Sequence, residues 1–347
     1  VSFNKIMRKI IILIVSFFSI AAELVQAQDM QFSQFYAAPI FLNPAFTGST
    51  EWTRVGVNYR NQWPGLDRSF NSFSAYFDHF IDHKNSGVGV IANGVRDSFS
   101  QIQNMEIGLT YAYRIKLGEE SYLHSGVQAS FVHRNVNVES IILGTQIDID
   151  RGVVVGNGVN WVEDVSQRSH EDINTGLYYY DKKFWLGVSA HHLTRPHISF
   201  LQLEDQRLPI RYSIHGGVTF DLFSNNIGDV INNTLQERTL SLAFNYKRQG
   251  LFDQLDVGAE FFYAPLILGV WYRGLPTKRS LPNNEAIVAL MGFSLPNDLQ
   301  IGYSFDFTVS KLAWRNSGGA HELSMRYTFR NYKLGKKRDR VIPGFKY

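Results

Sequence analysis

The stretch Ile301-Gly302-Tyr303-Ser304-Phe305-Asp306-Phe307-Thr308 decides the fold. In an extended chain, residues two apart share a face. Ile301, Tyr303, Phe305 and Phe307 therefore make one apolar face, and Gly302, Ser304, Asp306 and Thr308 make the opposite, small and polar one. The same division recurs upstream. Val55, Val57 and Tyr59 oppose Arg54, Gly56, Asn58 and Arg60; Ile107, Leu109, Tyr111 and Tyr113 oppose Glu106, Gly108, Thr110, Ala112 and Arg114; Leu240, Leu242, Phe244 and Tyr246 oppose Ser241, Ala243 and Asn245. A soluble sandwich alternates in this way too, so the connections have to decide.

The pattern predicts fourteen strands, at 53–61, 71–80, 86–94, 103–115, 122–133, 173–180, 184–192, 210–220, 238–247, 254–263, 266–273, 285–294, 299–307 and 321–330. The even-numbered connections are mostly tight: Ile81 to Asn85, Lys116 to Ser121, Asp181 to Lys183, Ala264-Pro265, and Leu295 to Asp298. The odd-numbered ones are mostly longer, among them 134–172, 193–209, 274–284 and 308–320. Short turns at one end and long loops at the other belong to transmembrane barrels. The connection 221–237 departs from this rule and reads either as a longer excursion on the turn side or as a misplaced pairing. The expected fold class is all-β, a transmembrane antiparallel β-barrel of about 14 strands with an N-terminal plug-like segment.

Composition narrows the compartment. Lys5, Arg8 and Lys9 precede the apolar run Ile10 to Ile20, and Val25-Gln26-Ala27 suits signal-peptidase cleavage before Gln28. No later segment is long and apolar enough to cross a membrane as a helix, so strands must do it, with every backbone polar group paired by closure. The chain has no cysteine, so neither disulfides nor thiolate metal sites are available. Its formal charge of +3 falls to about +1 without residues 1–27, which argues against nucleic acid as a partner. Aromatic residues make up 14% of the chain, and Tyr178 to Tyr180, Trp185, Trp271 and Tyr272 stand near strand ends, where a headgroup-level girdle is expected.

Two segments carry more than architecture. One begins at the cleavage site, Gln28-Asp29-Met30-Gln31-Phe32-Ser33-Gln34-Phe35-Tyr36, and continues as Leu42-Asn43-Pro44-Ala45-Phe46-Thr47-Gly48. The other is Gly302-Tyr303-Ser304-Phe305-Asp306 followed by Ser317-Gly318-Gly319-Ala320-His321-Glu322-Leu323-Ser324. With Arg60-Asn61-Gln62-Trp63-Pro64-Gly65, these closely resemble the PorP/SprF family of the Bacteroidetes type IX secretion system, over essentially the whole mature chain. Phe35 and Phe46 stand where Tyr is the commoner residue. The resemblance implies a non-enzymatic barrel of the cell outer membrane without cofactors. Its implied partners are ring or translocon proteins of the secretion machine, secreted cargo such as adhesins with C-terminal sorting domains, and outer-membrane lipid. Surface attachment of cargo and gliding motility are part of the same implication.

The physical reading of these residues stands beside it. Asn43-Pro44 followed by Gly48 reads as a turn, and Phe32, Phe35, Tyr36, Ile40, Phe41 and Leu42 need burial. The expected organisation is a signal peptide at 1–27, a periplasmic or plug segment at 28–52, the barrel at 53–330 and a basic periplasmic tail at 331–347. Gln31, Phe32, Ser33, Gln34, Phe35, Tyr36, Asn43, Pro44 and Gly48 are the expected plug or partner-binding residues. Trp63, Pro64, Gly65, Gly318 and Gly319 form a loop motif, with Ser317-Gly318-Gly319 read as a flexible loop. In the tail, Lys333, Lys336, Lys337, Arg338 and Arg340 are either solvated or dock onto an acidic periplasmic partner.

Catalysis finds little support. Adjacent residues of a strand face opposite ways, so neither Asp78-His79 nor His191-His192 makes a local dyad, although His191 shares the lumen face with Ser189. Asp148 and Asp150 lack the glycine turn and distal Glu of a calcium loop, and no metal site is assigned. A lumen-using channel or lipophile transporter is the alternative to a secretion component.

Overall fold

A computed structural model describes residues 29–66, 68–137, 147–148, 153–154, 167–200, 206–222, 238–275, 285–309 and 314–329. The expected export leader, the basic tail and most of the acidic 134–172 connection lie outside these residues, as does the Asp148 and Asp150 side-chain question.

Fourteen strands close into one antiparallel barrel. They are β1 (Thr53–Gln62), β2 (Phe70–Ile81), β3 (Ser86–Asp97), β4 (Ile102–Lys116), β5 (Tyr122–Val136), β8 (Gln167–Tyr180), β9 (Phe184–His191), β10 (Arg211–Asp221), β11 (Arg238–Gln249), β12 (Phe252–Tyr263), β13 (Leu266–Arg273), β14 (Ala286–Ser294), β15 (Leu299–Thr308) and β16 (Ala320–Phe329). Between β5 and β8, the two-residue strands β6 (Ile147–Asp148) and β7 (Val153–Val154) form a separate ladder. Each barrel strand pairs with its neighbours in sequence, and β1 closes onto β16 from Thr53↔Phe329 to Gln62↔Ala320. β10 pairs in register with β11, so the long connection between them reflects no misplaced pairing.

The period-two pattern is realised with polar residues inside. Along β15, Ser304 and Asp306 are 0% and 2% exposed, whereas Tyr303 and Phe307 are 42% and 38% exposed. Leu323, Met325, Tyr327 and Phe329 of β16 likewise face outward. Such an outward apolar band is stable only against lipid, which is the solvent of an outer-membrane barrel.

One end of the barrel carries the start of β1, the finish of β16 and compact turns; we call it the turn end. Its turns are chemically specified. Asp82–Lys84 is one 3-10 turn closed by Asn85 in the left-handed region (φ 48°). The Asp181 carboxylate accepts from Lys183 N and Phe184 N at 2.9 Å each, which fixes the next hairpin. The opposite, loop end carries the β5–β8, β9–β10 and β13–β14 connections.

Residues 29–52 lie within the barrel, three quarters of them buried and the rest half-buried. Pro39 starts one helical turn, Pro39–Leu42, and Pro44 starts a 3-10 turn, Pro44–Phe46, each ring supplying the φ that a first helical residue needs. Phe35, Tyr36, Leu42 and Phe46 pack against Tyr122, Tyr178, Trp185, Trp271, Val288 and Leu290 of the wall. The chief apolar core of this protein is thus inside the lumen, between wall and segment, at about 1.5–3 kcal/mol per large side chain buried.

Candidate functional site

The segment runs lengthwise through the lumen. Residues 29–34 contact the loop-end halves of the strands, and residues 48–51 contact the turn-end halves. Its upper part is fastened by charge. Glu322 accepts from Ser33 N (2.6 Å) and Gln34 N (2.9 Å), one carboxylate oxygen for each. The Ser33 hydroxyl donates to Asp306 at 2.8 Å and accepts from Arg273 at 2.9 Å and from Arg60. Arg60 and Arg273 each reach Asp306 Oδ2 at 2.8 Å, and Arg273 also reaches Asp256 at 2.8 Å. The Gln34 amide donates to Ser304 Oγ (3.1 Å) and Glu322 O (3.2 Å) and accepts from Ser324 Oγ (2.6 Å). Every one of these groups is almost fully buried. Desolvated charges persist in such a place only when their remaining hydrogen-bonding positions are also filled.

These contacts unite the three sequence motifs. Ser33 and Gln34 come from the first, Arg60 heads the Arg60–Gly65 run, and Ser304, Asp306, Glu322 and Ser324 come from the third. Gln31 accepts from Lys247 Nζ at 3.2 Å, and Phe32 meets Phe41 edge-on at 5.4 Å. Phe35 and Tyr36 pack on Trp271, with ring centroids 5.1 and 5.8 Å apart.

The middle part, to Phe46, is fastened by shape and backbone, and the residues after it by charge again. Asn43 caps the 3-10 turn by accepting from Ala45 N (2.9 Å), while its amide nitrogen donates to the carbonyls of Leu177 (3.0 Å) and Val188 (3.1 Å) on adjacent strands. Leu42 O accepts from Ser189 Oγ (2.9 Å) and His191 Nε2 (3.2 Å). Phe46 lies against Tyr178 in a tilted contact with centroids 4.1 Å apart. The turn formed by Pro44 and Ala45 presses on Gly126 of β5 so closely that a Cβ there would overlap Ala45 N. At Gly48 (φ 69°) the backbone N–H donates to Asp78 (2.7 Å), whose carboxylate pairs with Arg54 (2.9 Å). Glu51 pairs with Arg114 below it.

At the top, the Asp29 carboxylate receives His192 Nε2 at 2.7 Å and Arg211 at 2.8 Å, and His192 Nδ1 faces Asp172 at 2.6 Å. An imidazole with a carboxylate at each nitrogen is doubly protonated. Burial opposes that charge, but Asp29 and Asp172 outweigh it and push the His192 pKa up to about 10. Burial likewise disfavours the Asp29 carboxylate, yet His192 and Arg211 hold its pKa well below the ordinary 3.8.

Three sequence expectations need correction. Strand β9 ends at His191, and His192 takes φ 63°, which turns its ring inward beside His191 instead of outward. Tyr178, Tyr180, Trp185 and Trp271 are not girdle residues: alternation puts them on the lumen face, where they are 0–5% exposed and form the bed for the segment. Only Tyr179 and Tyr272 of that set face outward. The Ser317-Gly318-Gly319 run is no flexible loop. It follows the helical turn Trp314–Ser317 and clasps the first loop, where Trp63 N donates to Gly319 O (2.8 Å) and Gly65 N to Ser317 O (2.9 Å). Gly318 and Gly319 adopt φ 73° and 67°, and Pro64 lies against Gly318. The charged residues Arg60, Arg273, Asp306, Glu322 and Arg211 were not singled out from sequence as a site, although their position on the polar face of alternating strands was there to be read.

A closed fourteen-stranded wall, apolar outside and filled with polar and aromatic side chains around an internal segment, defines an outer-membrane β-barrel protein. Residues 24–327 match the model of the type IX secretion system membrane protein family PorP/SprF, and the chain belongs to that family. It is an outer-membrane component of type IX secretion, and its family and fold are not those of a known enzyme class. No curated protein matches the sequence. Solved structures similar in fold include CdiB from Acinetobacter baumannii (8% identity, 80% of this chain and 60% of that one, TM-score 0.40). Others are the TodX deltaS2S3 mutant monoaromatic hydrocarbon channel (11%, 83% and 92%, 0.43) and a Pseudomonas aeruginosa FadL homologue (12%, 83% and 93%, 0.42). The matched region spans about 60% of the length of CdiB.

Proposed function

We propose that this protein acts in type IX secretion as a plugged, non-enzymatic scaffold, with residues 28–52 as its plug. It binds proteins of the secretion machine, secreted cargo such as an adhesin, or both, for export and surface attachment, with gliding motility as a downstream use. The observation that carries this reading is the buried union of Ser33 and Gln34 with Arg60, Asp306 and Glu322, which commits the lumen to the chain's own segment. Partners then engage the two ends of the barrel. In the orientation of outer-membrane barrels the turn end is periplasmic, where the basic tail from Lys333 to Arg340 docks onto an acidic partner, and the loop end is extracellular.

Affinity purification of the tagged protein from native outer membranes, with mass spectrometry of what stays bound at moderate salt, tests this reading. Recovery of secretion-ring components or a large secreted adhesin supports it; repeated recovery of a clean monomer overturns it. Deleting residues 28–48 or neutralising the tail is expected to reduce partner recovery while the barrel still inserts. In planar bilayers the protein should conduct poorly, and a large steady pore would favour the channel alternative.

A further inference from the structure

Beside the upper part of the segment, the lumen keeps a cavity of about 100 Å³, bounded by Asp29, Met30 and Phe41, by strands β3, β4, β5, β8, β9 and β10, and by the β9–β10 connection. That is several times the roughly 10–15 Å³ needed to seat one water, so a small molecule fits. Most charges around it cancel: Asp29 pairs with Arg211, and His192 bridges Asp29 and Asp172. Two do not. The Glu106 carboxylate accepts from the Asn93 amide (2.8 Å) and the Gln128 amide (2.9 Å), but no cation pairs with it among the described residues. Arg134, 6% exposed, has the Ile198 carbonyl at 3.4 Å and the Phe200 ring at 5.3 Å; it lies in the field of Asp29 across the cavity, but that carboxylate is taken up by His192 and Arg211, and no direct ion pair reaches Arg134 among the described residues. A buried guanidinium left this way is costly unless something completes it.

The unfilled hydrogen-bonding positions divide by kind. Among the described residues, Gln128 Oε1 and Asn104 Oδ1 are acceptors with no partner, standing with Glu106 on β4 and β5. Among the same residues, Arg134 Nε is a donor with no partner, as is His170 Nδ1 in the tautomer protonated there. The Gln128 amide orientation is set by donation to Glu106 and to Ser130 Oγ (2.8 Å), so its oxygen is free by construction. Asn104 stands directly across the β4–β5 ladder from Arg134, and Glu106 two residues along β4, so acceptors with a negative charge and donors with a positive charge line the cavity within a few ångströms of one another and match a molecule with an ammonium and a carboxylate close together.

We infer that this cavity binds a small zwitterion of the amino-acid class, its ammonium on Glu106, Gln128 and Asn104 and its carboxylate on Arg134 and His170. The inference does not depend on which proteins the barrel binds.

The test is calorimetry on the full chain in lipid nanodiscs, titrated with single L-amino acids and with acetate and methylamine as single-charge probes. At least one amino acid should bind saturably, and each single-charge probe at least about tenfold more weakly, because each leaves one charge of the site unanswered. Glu106→Gln and Arg134→Met should each weaken that binding by about tenfold or more. Absence of binding by every amino acid up to about 10 mM, well beyond the affinity of a built site, overturns the inference. So does equal binding of acetate or methylamine, a comparison that needs no variant to fold. Binding undiminished in both variants overturns it as well.

Discussion

The first two stretches of the internal segment are held by different physics. From Asp29 to Gln34 the grip is ionic: carboxylates of Asp306 and Glu322, guanidiniums of Arg60, Arg273 and Arg211, and an imidazolium at His192. From Phe35 to Phe46 it is steric and aromatic, with a backbone turn seated against Gly126 and rings laid on Trp271 and Tyr178. Dispersion contacts add up whatever the order in which they form, whereas a buried charge is tolerable only when all its partners are present. The first stretch should therefore respond abruptly to loss of one group, and the second in proportion to lost fit.

The hardest blow to that contrast is Asp306→Ala. It leaves two buried guanidiniums without their shared carboxylate, at a cost of about 3–5 kcal/mol. Hydrogen exchange should show residues 29–34 released while 40–47 keep most of their protection; joint release of both stretches would refute their independence. Next in size is Gly126→Val, whose side chain meets the Pro44–Ala45 turn. Overpacking of this kind costs about 1–3 kcal/mol, and here protection should fall at 43–47 and persist at 29–34. Gly318→Ala forces a side chain into a left-handed backbone facing only Pro64 and Gly65, at about 1–2 kcal/mol. It should loosen the Trp63 loop, seen as a change in tryptophan emission, without altering exchange anywhere in the segment.

The mildest probe is pH. His192 has a raised pKa, so its contribution is complete below its ordinary 6.5 and fades as pH rises toward about 10. Asp29 has a lowered pKa, so its contribution is complete above its ordinary 3.8 and fades only as pH falls below that value. The share of the protection at 29–34 that His192 and Asp29 supply should thus be greatest between these limits and decline on the alkaline side first. His192→Gln should remove the alkaline decline, and an unchanged profile would show that other groups set it.

The barrel was legible in the sequence because alternation is a local rule: β1, β3 and β13 begin where their patterns begin, and every barrel strand was located. What alternation also implied, that every second aromatic near a strand end must point inward, was outweighed by the general association of aromatics with headgroups. Tyr178 and Trp271 show that face parity is the stronger guide. His192 was misread for the opposite reason, since parity holds only while the backbone stays extended, and one positive φ cancels it. The Ser33 cluster was not legible, because its members come from five strands and the segment, and only closure of the sheet brings them together.

Glu322 lies on the last strand and grips Ser33 near the beginning of the chain, a separation of 289 residues. The entropy of closing so large a loop must be met before the contact can form. The ionic grip on Ser33 and Gln34 is therefore a late event in assembly, completed only when β16 has come alongside β1. Arg60 of β1 and Glu322 of β16 are paired directly across that ladder, so the wall has its own contacts for closure, but the segment has its full ionic seat only once the wall is sealed. A chain stalled before that closure would carry an unclosed edge and a loose N-terminal segment together, and quality control could recognise both defects as one.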